Sequence, residues 1–389
     1  MPGVGVDMQK GLLRVLLLLI YIFIFIMVGQ GNLAYAGDLN INASAAVLIE
    51  EHTSQILFKK KIHSKLPPAS LTKILTAVVA LENSDPQEIV EVSRRAAYQE
   101  GSSIYLEVGE KITLKELIYG ILLASGNDAA VAIAEHVAGS VEDFACLMNH
   151  TAKKIGAVNS NFTNPSGLPD PSHYSTAYDL ALITRHAMNY KTFREITATK
   201  NKTISWAGHN WGRGIHNHNK MLWDYKNATG GKTGYTRAAG RCLITTATKN
   251  NRNLIAVVLN CPSDWYEVTR MLDYGFDSFV NKKVIKKNEE ILKIKIEEGD
   301  KNFLELKAAK SVELLIKKEG KLKIKKEIYY DEDIDFPIKK GDILGVLIVK
   351  EGEFKDTVNL KAAFDIDYKS KYKIFLRKLR KGFSNNLWK

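Results

Sequence analysis

Three short clusters hold residue types that could act together on a peptide or ester. Ser70 and Lys73 stand three apart, so on a helix the hydroxyl and the amine share one face. An amine able to give up its proton can take one from that hydroxyl, which makes Ser70 an acylatable nucleophile. Ser125-Gly126-Asn127 brings a second hydroxyl and an amide. Lys232-Thr233-Gly234 brings a cation and a hydroxyl beside a glycine. That set can hold a carboxylate by charge and hydrogen bond, and a glycine on an edge strand leaves room for a ligand backbone. Each pattern is short enough to recur by chance. Ser370-Lys371-Tyr372-Lys373 repeats the first, and Ser384 with Asn386 repeats the second.

The surrounding elements discriminate between the copies. Pro67 and Pro68 stop whatever precedes them, and an apolar run free of Gly and Pro continues to Glu82. This predicts a helix entered near Ala69. Its apolar residues leave no polar face, so it is expected to be buried. Burial gives Lys73 a way to lose its proton. The tail copy falls among Lys and Arg, where Lys373 stays solvated and charged. Residues 39–61 alternate and read as a hairpin. Thr113 and Glu116 form a capping box for a helix over 113–138, broken at residues 125–128 and resumed at Ala129. Residues 141–155, 176–188 and 263–279 read as further helices. Thr229-Gly230-Gly231 reads as a turn ahead of two closing strands, the first from Lys232 into residues 241–246 and the second over 254–259. Strands at both ends with helices between predict an α/β domain whose terminal segments share an antiparallel sheet.

The chain has 389 residues and a formal net charge of +12. Residues 368–389 hold eight Lys or Arg and no acid, and residues 1–36 add one net positive. The folded body is left at about +3, which argues against a nucleic-acid-binding protein. Lys10 and Arg14, an apolar run over 15–28 and Ala34-Tyr35-Ala36 read as a signal peptide cut after Ala36, with an uncleaved anchor as the alternative. Either places the body outside the cytoplasm. From about residue 284 lysine alternates with β-branched residues between turns, the pattern of a small all-β domain over 284–366. Over 367–389, Tyr368, Tyr372, Phe375, Leu376, Leu379, Phe383 and Leu387 recur at helical spacing among basic residues. That is a basic amphipathic helix suited to an anionic membrane surface. Three cysteines make no disulfide framework; Cys242 and Cys261 are expected as free thiols on neighbouring strands, with a disulfide between them as the alternative.

Taken together and in order, Ser-x-x-Lys, Ser-Gly-Asn and Lys-Thr-Gly match the signature of penicillin-binding proteins and serine β-lactamases. The fuller segments at 68–76, 124–130, 173–181 and 231–243 closely resemble serine-type D-alanyl-D-alanine carboxypeptidases of the S11 type, the low-molecular-mass penicillin-binding proteins. The resemblance covers about residues 38–280 and, more loosely, the β domain and tail. One departure is Ser166, where many relatives carry His, and no role is assigned to it.

The resemblance implies a β-lactamase/transpeptidase-like domain over 37–283, an antiparallel sheet with helices and a helical region. It implies Ser70 as the acylated nucleophile, Lys73 as the group that takes its proton, and Ser125 as a proton relay. Asn127 would bond the substrate amide. Lys232 and Thr233 would bind the terminal carboxylate, next to Gly234. The backbone N–H groups of Ser70 and Tyr235 would form the oxyanion hole. Acylation would expel D-Ala from peptidoglycan stem peptides, water would hydrolyse the ester, and β-lactams would acylate the same serine. No metal or other cofactor is expected. Transpeptidase or endopeptidase, β-lactamase, and a catalytically idle penicillin-binding module remain alternatives. A zinc peptidase would have to use His216 and His218, the one close His pair.

Overall fold

The computed structural model describes residues 39–318, 324–331, 334–351, 354–369 and 375–376. The expected signal peptide lies outside the described residues, as do most of the expected amphipathic helix and the tail copies of the motifs. Among the described residues, no helix is long and apolar enough to cross a membrane.

The expected first hairpin forms from β1 (Ala45–Glu50) and β2 (Ile56–Lys60). The chain returns to it near the end of the α/β region. There β7 (Ala228–Thr236), β8 (Gly240–Lys249) and β9 (Arg252–Leu259) form a meander, and β9 pairs with β1. The resulting antiparallel sheet has the order β2-β1-β9-β8-β7, with β7 on an open edge. All six residues of β1 and the last six of β9 are buried, as expected for strands covered on both faces. Thr229, Gly230 and Gly231 are not a turn but the interior of β7. A Cβ on Gly231 would stand 2.0 Å from the Ile244 carbonyl oxygen, so the glycine serves close approach to β8. Lys232 accordingly has a strand of its own, and three strands rather than two close this region.

Helices pack between the outgoing and returning strands. A 3-10 turn (Ala69–Thr72) leads into α1 (Lys73–Asn83), whose first eight residues are buried. Next come α2 (Leu114–Leu123) and α3 (Asn127–Ala138). The expected capping box at Thr113 and Glu116 starts α2. α3 resumes two residues earlier than the apolar pattern indicates, at Asn127. α4 (Val141–Ile155) has an Ser140 cap, acids in its first turn, lysines in its last and Gly156 at φ +96° beyond its end. α5 (Ala177–Ala187) is capped by Thr176, and α6 (Asp264–Ser278) covers the sheet near β8 and β9. Two short hairpins flank the helices: β3 (Ile89–Glu91) with β4 (Lys111–Thr113), and β5 (Asn201–Ile204) with β6 (Arg213–His216).

The C-terminal β region opens with β10 (Phe279–Ile285), which pairs with β13 (Val312–Lys317). Its five-stranded sheet has the order β11 (Glu290–Lys295), β12 (Phe303–Ala308), β16 (Phe354–Ala362), β15 (Ile343–Glu351), β14 (Lys325–Tyr330). Alternate residues of β12 and β16 point into a separate apolar core that includes Leu304, Leu306, Val358 and Leu360. One buried polar contact joins this region to the first hairpin. Gln55 Nε2 donates to the Leu315 carbonyl at 2.7 Å, and Leu315 N–H donates back to Gln55 Oε1 at 2.8 Å.

Candidate active site

Ser70 sits where the chain enters α1, on a 3-10 turn forced by its neighbours. Ala69 has φ +48°, an uncommon state for a residue with a Cβ. Two glycines allow the close packing around this turn. A Cβ on Gly234 of β7 would lie 3.1–3.2 Å from Pro68 O, Ala69 Cβ and Ser70 N, so β7 passes directly against Ser70. A Cβ on Gly167, at φ +82°, would lie 1.9 Å from the Ala69 carbonyl oxygen.

Lys73 is fully buried one turn along. Its ammonium donates to Ser70 Oγ at 3.0 Å, to Asn127 Oδ1 at 2.7 Å and to the Ser166 carbonyl at 2.7 Å. Burial, reinforced by the charge of Lys232 and opposed by Asp128, holds its pKa well below the usual lysine value. A neutral Lys73 has a lone pair to aim at the Ser70 proton. The tail copy offers no such environment in sequence, and its structure lies outside the described residues.

Ser125 and Asn127 stand at the break between α2 and α3. Ser125 is held at φ +63°, a second strained residue beside the cleft. Asn127 is fixed from both ends: Oδ1 accepts from Lys73, and Nδ2 donates to the Glu100 carbonyl at 2.7 Å. Asp128, fully buried, ties the 102–106 loop to α3. It accepts from Ser103 Oγ at 2.6 Å and from the N–H groups of Ile104 and Leu106 at 3.0–3.1 Å.

On the facing wall, Lys232 is also buried, with Nζ 3.0 Å from the Thr233 carbonyl. Burial pulls its pKa down to about 7. A bound carboxylate would restore its preference for the charged form. Ser70, Ser125, Thr233, Gly234 and Tyr235 all line one cavity of about 320 Å³. Five of the expected site residues therefore share one space, whereas Lys73, Asn127 and Lys232 are buried and do not line it. Among the described residues, no group of His, Cys, Asp and Glu could hold a metal ion. His216 stacks on Trp223, whereas His218 lines the cavity, so the two do not converge.

Several contributors carry no motif. Ser166 accepts from Lys73 through its backbone carbonyl. His173 donates from Nε2 to Thr72 Oγ1 at 2.9 Å, because its Nδ1 accepts the Thr163 N–H at 3.1 Å. Burial lowers its pKa to about 4, so it stays neutral and braces the helix entry. Arg241 reaches the cavity from β8 and is oriented by the buried Asp264 at 2.9 Å. Cys146, Cys242 and Cys261 are free thiols. Cys242 lies on β8, and Cys261 follows β9, with its N–H bonded to the Arg241 carbonyl.

Comparison with known proteins gives the family. Residues 32–263 match the D-alanyl-D-alanine carboxypeptidase family, peptidase S11, and residues 279–368 match the C-terminal domain of penicillin-binding protein 5. The D-alanyl-D-alanine carboxypeptidase DacF of Bacillus subtilis is 38% identical over 325 residues, covering 81% of this chain and 83% of that one. The crystal structure of penicillin-binding protein 5 from Haemophilus influenzae superposes with a TM-score of 0.72 at 30% identity. It covers 85% of this chain and 99% of that one. A mutant DD-transpeptidase of Streptomyces superposes with a TM-score of 0.58 at 31% identity, over 61% of this chain and 98% of that one. The chain belongs to the S11 family of D-alanyl-D-alanine carboxypeptidases, the serine hydrolases of the penicillin-binding protein class.

Proposed function

We propose that the chain trims the terminal D-alanine from D-Ala-D-Ala-ending peptidoglycan stem peptides through an ester on Ser70. The observation that carries the residue assignment is the contact between the buried Lys73 amine and Ser70 Oγ, 3.0 Å apart. Neutral Lys73 takes the hydroxyl proton as Ser70 attacks the penultimate carbonyl. The developing oxyanion is met by the N–H groups of Ser70 and Tyr235. Thr233 and charged Lys232 hold the leaving residue's carboxylate. Ser125, across the cavity, passes the proton to the departing amine. Asn127 meets the donor peptide's amide once its own contacts exchange. D-Ala leaves, and water then cleaves the ester. A β-lactam enters the same path, but its leaving group stays tethered to the acyl-enzyme.

Intact-mass measurement after incubation with a penicillin checks this. The expected result is one covalent adduct, absent in Ser70→Ala; an adduct that survives that substitution removes Ser70 from its role. Release of D-Ala from diacetyl-L-Lys-D-Ala-D-Ala separates an active enzyme from an idle penicillin-binding module. The likeness to a transpeptidase favours one second reading, transfer of the same acyl group to an amine. Adding glycine as acceptor and measuring the ratio of transfer to hydrolysis distinguishes the two.

The reading also places the enzyme outside the cytoplasm, exported by residues 1–36 and held at the outer face of the cytoplasmic membrane by residues 367–389. What supports it is the basic and aromatic periodicity of the tail and the solvent exposure of Phe375 and Leu376. The mature protein should begin at Gly37 and sediment with vesicles containing anionic lipid. Equal recovery with purely neutral vesicles would remove the electrostatic part of the attachment.

A further inference from the structure

The tip of the β5–β6 hairpin, residues 205–212, holds three rings in a row. His209 lies between two indoles: its ring centroid is 4.3 Å from that of Trp206 and 5.1 Å from that of Trp211. Trp211 is 64% exposed, and Tyr105, 76% exposed, belongs to the loop packed against the tip. Single exposed aromatics are ordinary, whereas a contiguous group of them marks an interaction surface.

The rings are fixed by buried ties. Arg213, at the start of β6, makes a two-pronged ion pair with Glu110, both bonds 3.0 Å and both side chains buried. The same guanidinium donates to the Tyr105 carbonyl at 3.0 Å and stands 4.7 Å from the Trp206 ring centroid. Glu116, in the first turn of α2, accepts the Ser205 N–H at 2.8 Å. Glu107 Oε1 accepts the Trp206 indole N–H at 3.1 Å and lies 3.4 Å from His209 Nε2. A buried ion pair is a poor source of stability, so these ties are better explained by what they orient. They hold the rings in place before a ligand arrives, which lowers the entropy lost on binding.

The patch has the chemistry of a sugar site. A pyranose shows C–H groups on its faces and hydroxyls around its edge, and the negative face of an indole attracts such C–H groups. Trp211 offers the face. Glu107, whose Oε2 has no partner among the described residues, offers an acceptor at the rim for a hydroxyl or an amide N–H. A carboxylate amid the rings is repelled by an anionic membrane surface. The patch is also continuous with the catalytic cavity. Ser102 lines that cavity, and Tyr105 is three residues on, so no more than about 11 Å of chain separates them. At the root of the hairpin, His218, two residues beyond β6, lines the cavity as well. A three-residue stem ahead of D-Ala-D-Ala spans a similar length when extended, about 11 Å at most.

We propose that the β5–β6 tip is a saccharide platform, on which Trp211 stacks against an N-acetylated pyranose of the glycan strand that carries the stem peptide. Glu107 bonds the edge of that sugar while the D-Ala-D-Ala end lies in the catalytic cavity. The inference rests on the proposed carboxypeptidase reading and extends it from the peptide to the polymer.

The test uses the full chain and two substrates, the free pentapeptide L-Ala-γ-D-Glu-L-Lys-D-Ala-D-Ala and the same peptide on an N-acetylglucosaminyl-N-acetylmuramyl disaccharide. Wild-type kcat/KM should favour the glycopeptide by roughly tenfold, through KM. Trp211→Ala should bring that ratio close to one, and Trp211→Phe should restore part of it. Acylation by benzylpenicillin, which carries no sugar, reads the integrity of the fold and should keep its wild-type rate in both variants. Calorimetric titration with peptide-free glycan strands should show binding that Trp211→Ala removes. Equal kcat/KM for the two substrates, with D-Ala still released, overturns the platform and leaves the catalytic reading intact. A preference that survives Trp211→Ala, or a parallel loss of penicillin acylation, also overturns it. So does a loss confined to co-sedimentation with anionic lipid vesicles, which makes the patch a membrane contact. If neither substrate releases D-Ala, the enzymatic reading falls and the titration alone decides the platform: binding lost in Trp211→Ala keeps it, and no binding overturns it.

Discussion

Lysine is treated in opposite ways in the two halves of this molecule. Around Ser70, Lys73 and Lys232 are fully buried, and neither has a carboxylate within ion-pair distance among the described residues. In the C-terminal β region the same residue type stays on the surface and meets acids across strands. Examples are Lys283 with Glu313, Lys293 with Glu305, Lys310 with Asp356 and Lys350 with Glu327. The β region has an apolar core and surface pairs of small individual value. The α/β region spends stability on two desolvated amines and on strained backbone at Ala69 and Ser125. The first arrangement is what a supporting domain needs. The second is what the proposed chemistry asks of its amines, and replacing a buried charge with a hydrophobe is often neutral or stabilising.

Substitutions test this contrast, beginning with the largest effect. Ser70→Ala should abolish β-lactam adducts and lower D-Ala release by on the order of 10⁴-fold or more, with no change in fold. Lys73→Met should leave the hydroxyl in place but slow acylation by about 10³-fold, read from the rate of adduct formation. Its stability gain will be small, since Asn127 Oδ1 and the Ser166 carbonyl lose their donor. Gly167→Ala should cost about 3 kcal/mol or more in denaturant unfolding, from its positive φ and the collision with Ala69 O.

Lys232→Met divides stability from function. It should raise KM for peptide substrates and stabilise the fold by about 1–3 kcal/mol. The sign follows from proton counts. The folded pKa is about 7 against an ordinary 10.5, so between those values the unfolded chain holds the extra proton. The penalty is therefore full below about pH 7 and fades toward 10.5, and the melting advantage of Lys232→Met should shrink over that span. For catalysis, free enzyme with charged Lys232 captures the carboxylate, so kcat/KM should fall above about pH 7. Lys232→Arg should move that fall to higher pH. The smallest effect belongs to the other region: Lys350→Met should change stability by about 0.5 kcal/mol or less.

Much of the fold was legible because it rests on local rules. The capping box at Thr113, the helix over Val141–Ile155 and the alternation of the C-terminal strands follow from residue type and period. The candidate site residues were legible as motifs, and Ser70, Ser125, Thr233, Gly234 and Tyr235 of them line one cavity. What escaped depends on backbone and distant partners. The Ser166 carbonyl that holds Lys73 is invisible to any side-chain pattern. Asp128 looks like a helix-start acid, and only the fold reveals that it anchors the 102–106 loop. Gly230 and Gly231 misled in the opposite direction: a Gly pair resembles a turn in sequence, whereas here it lets two strands and the Thr197 side chain crowd together.

The paired hydrogen bonds between Gln55 and Leu315 have a mechanical consequence. A primary amide presents one donor and one acceptor in the same geometry as a peptide group, so the side chain of Gln55 acts as an extra rung beside β13. Placed between two separately packed cores, such a rung resists shear in both directions, as a pinned joint resists sliding. It turns the second core from a pendant weight into a strut of set length.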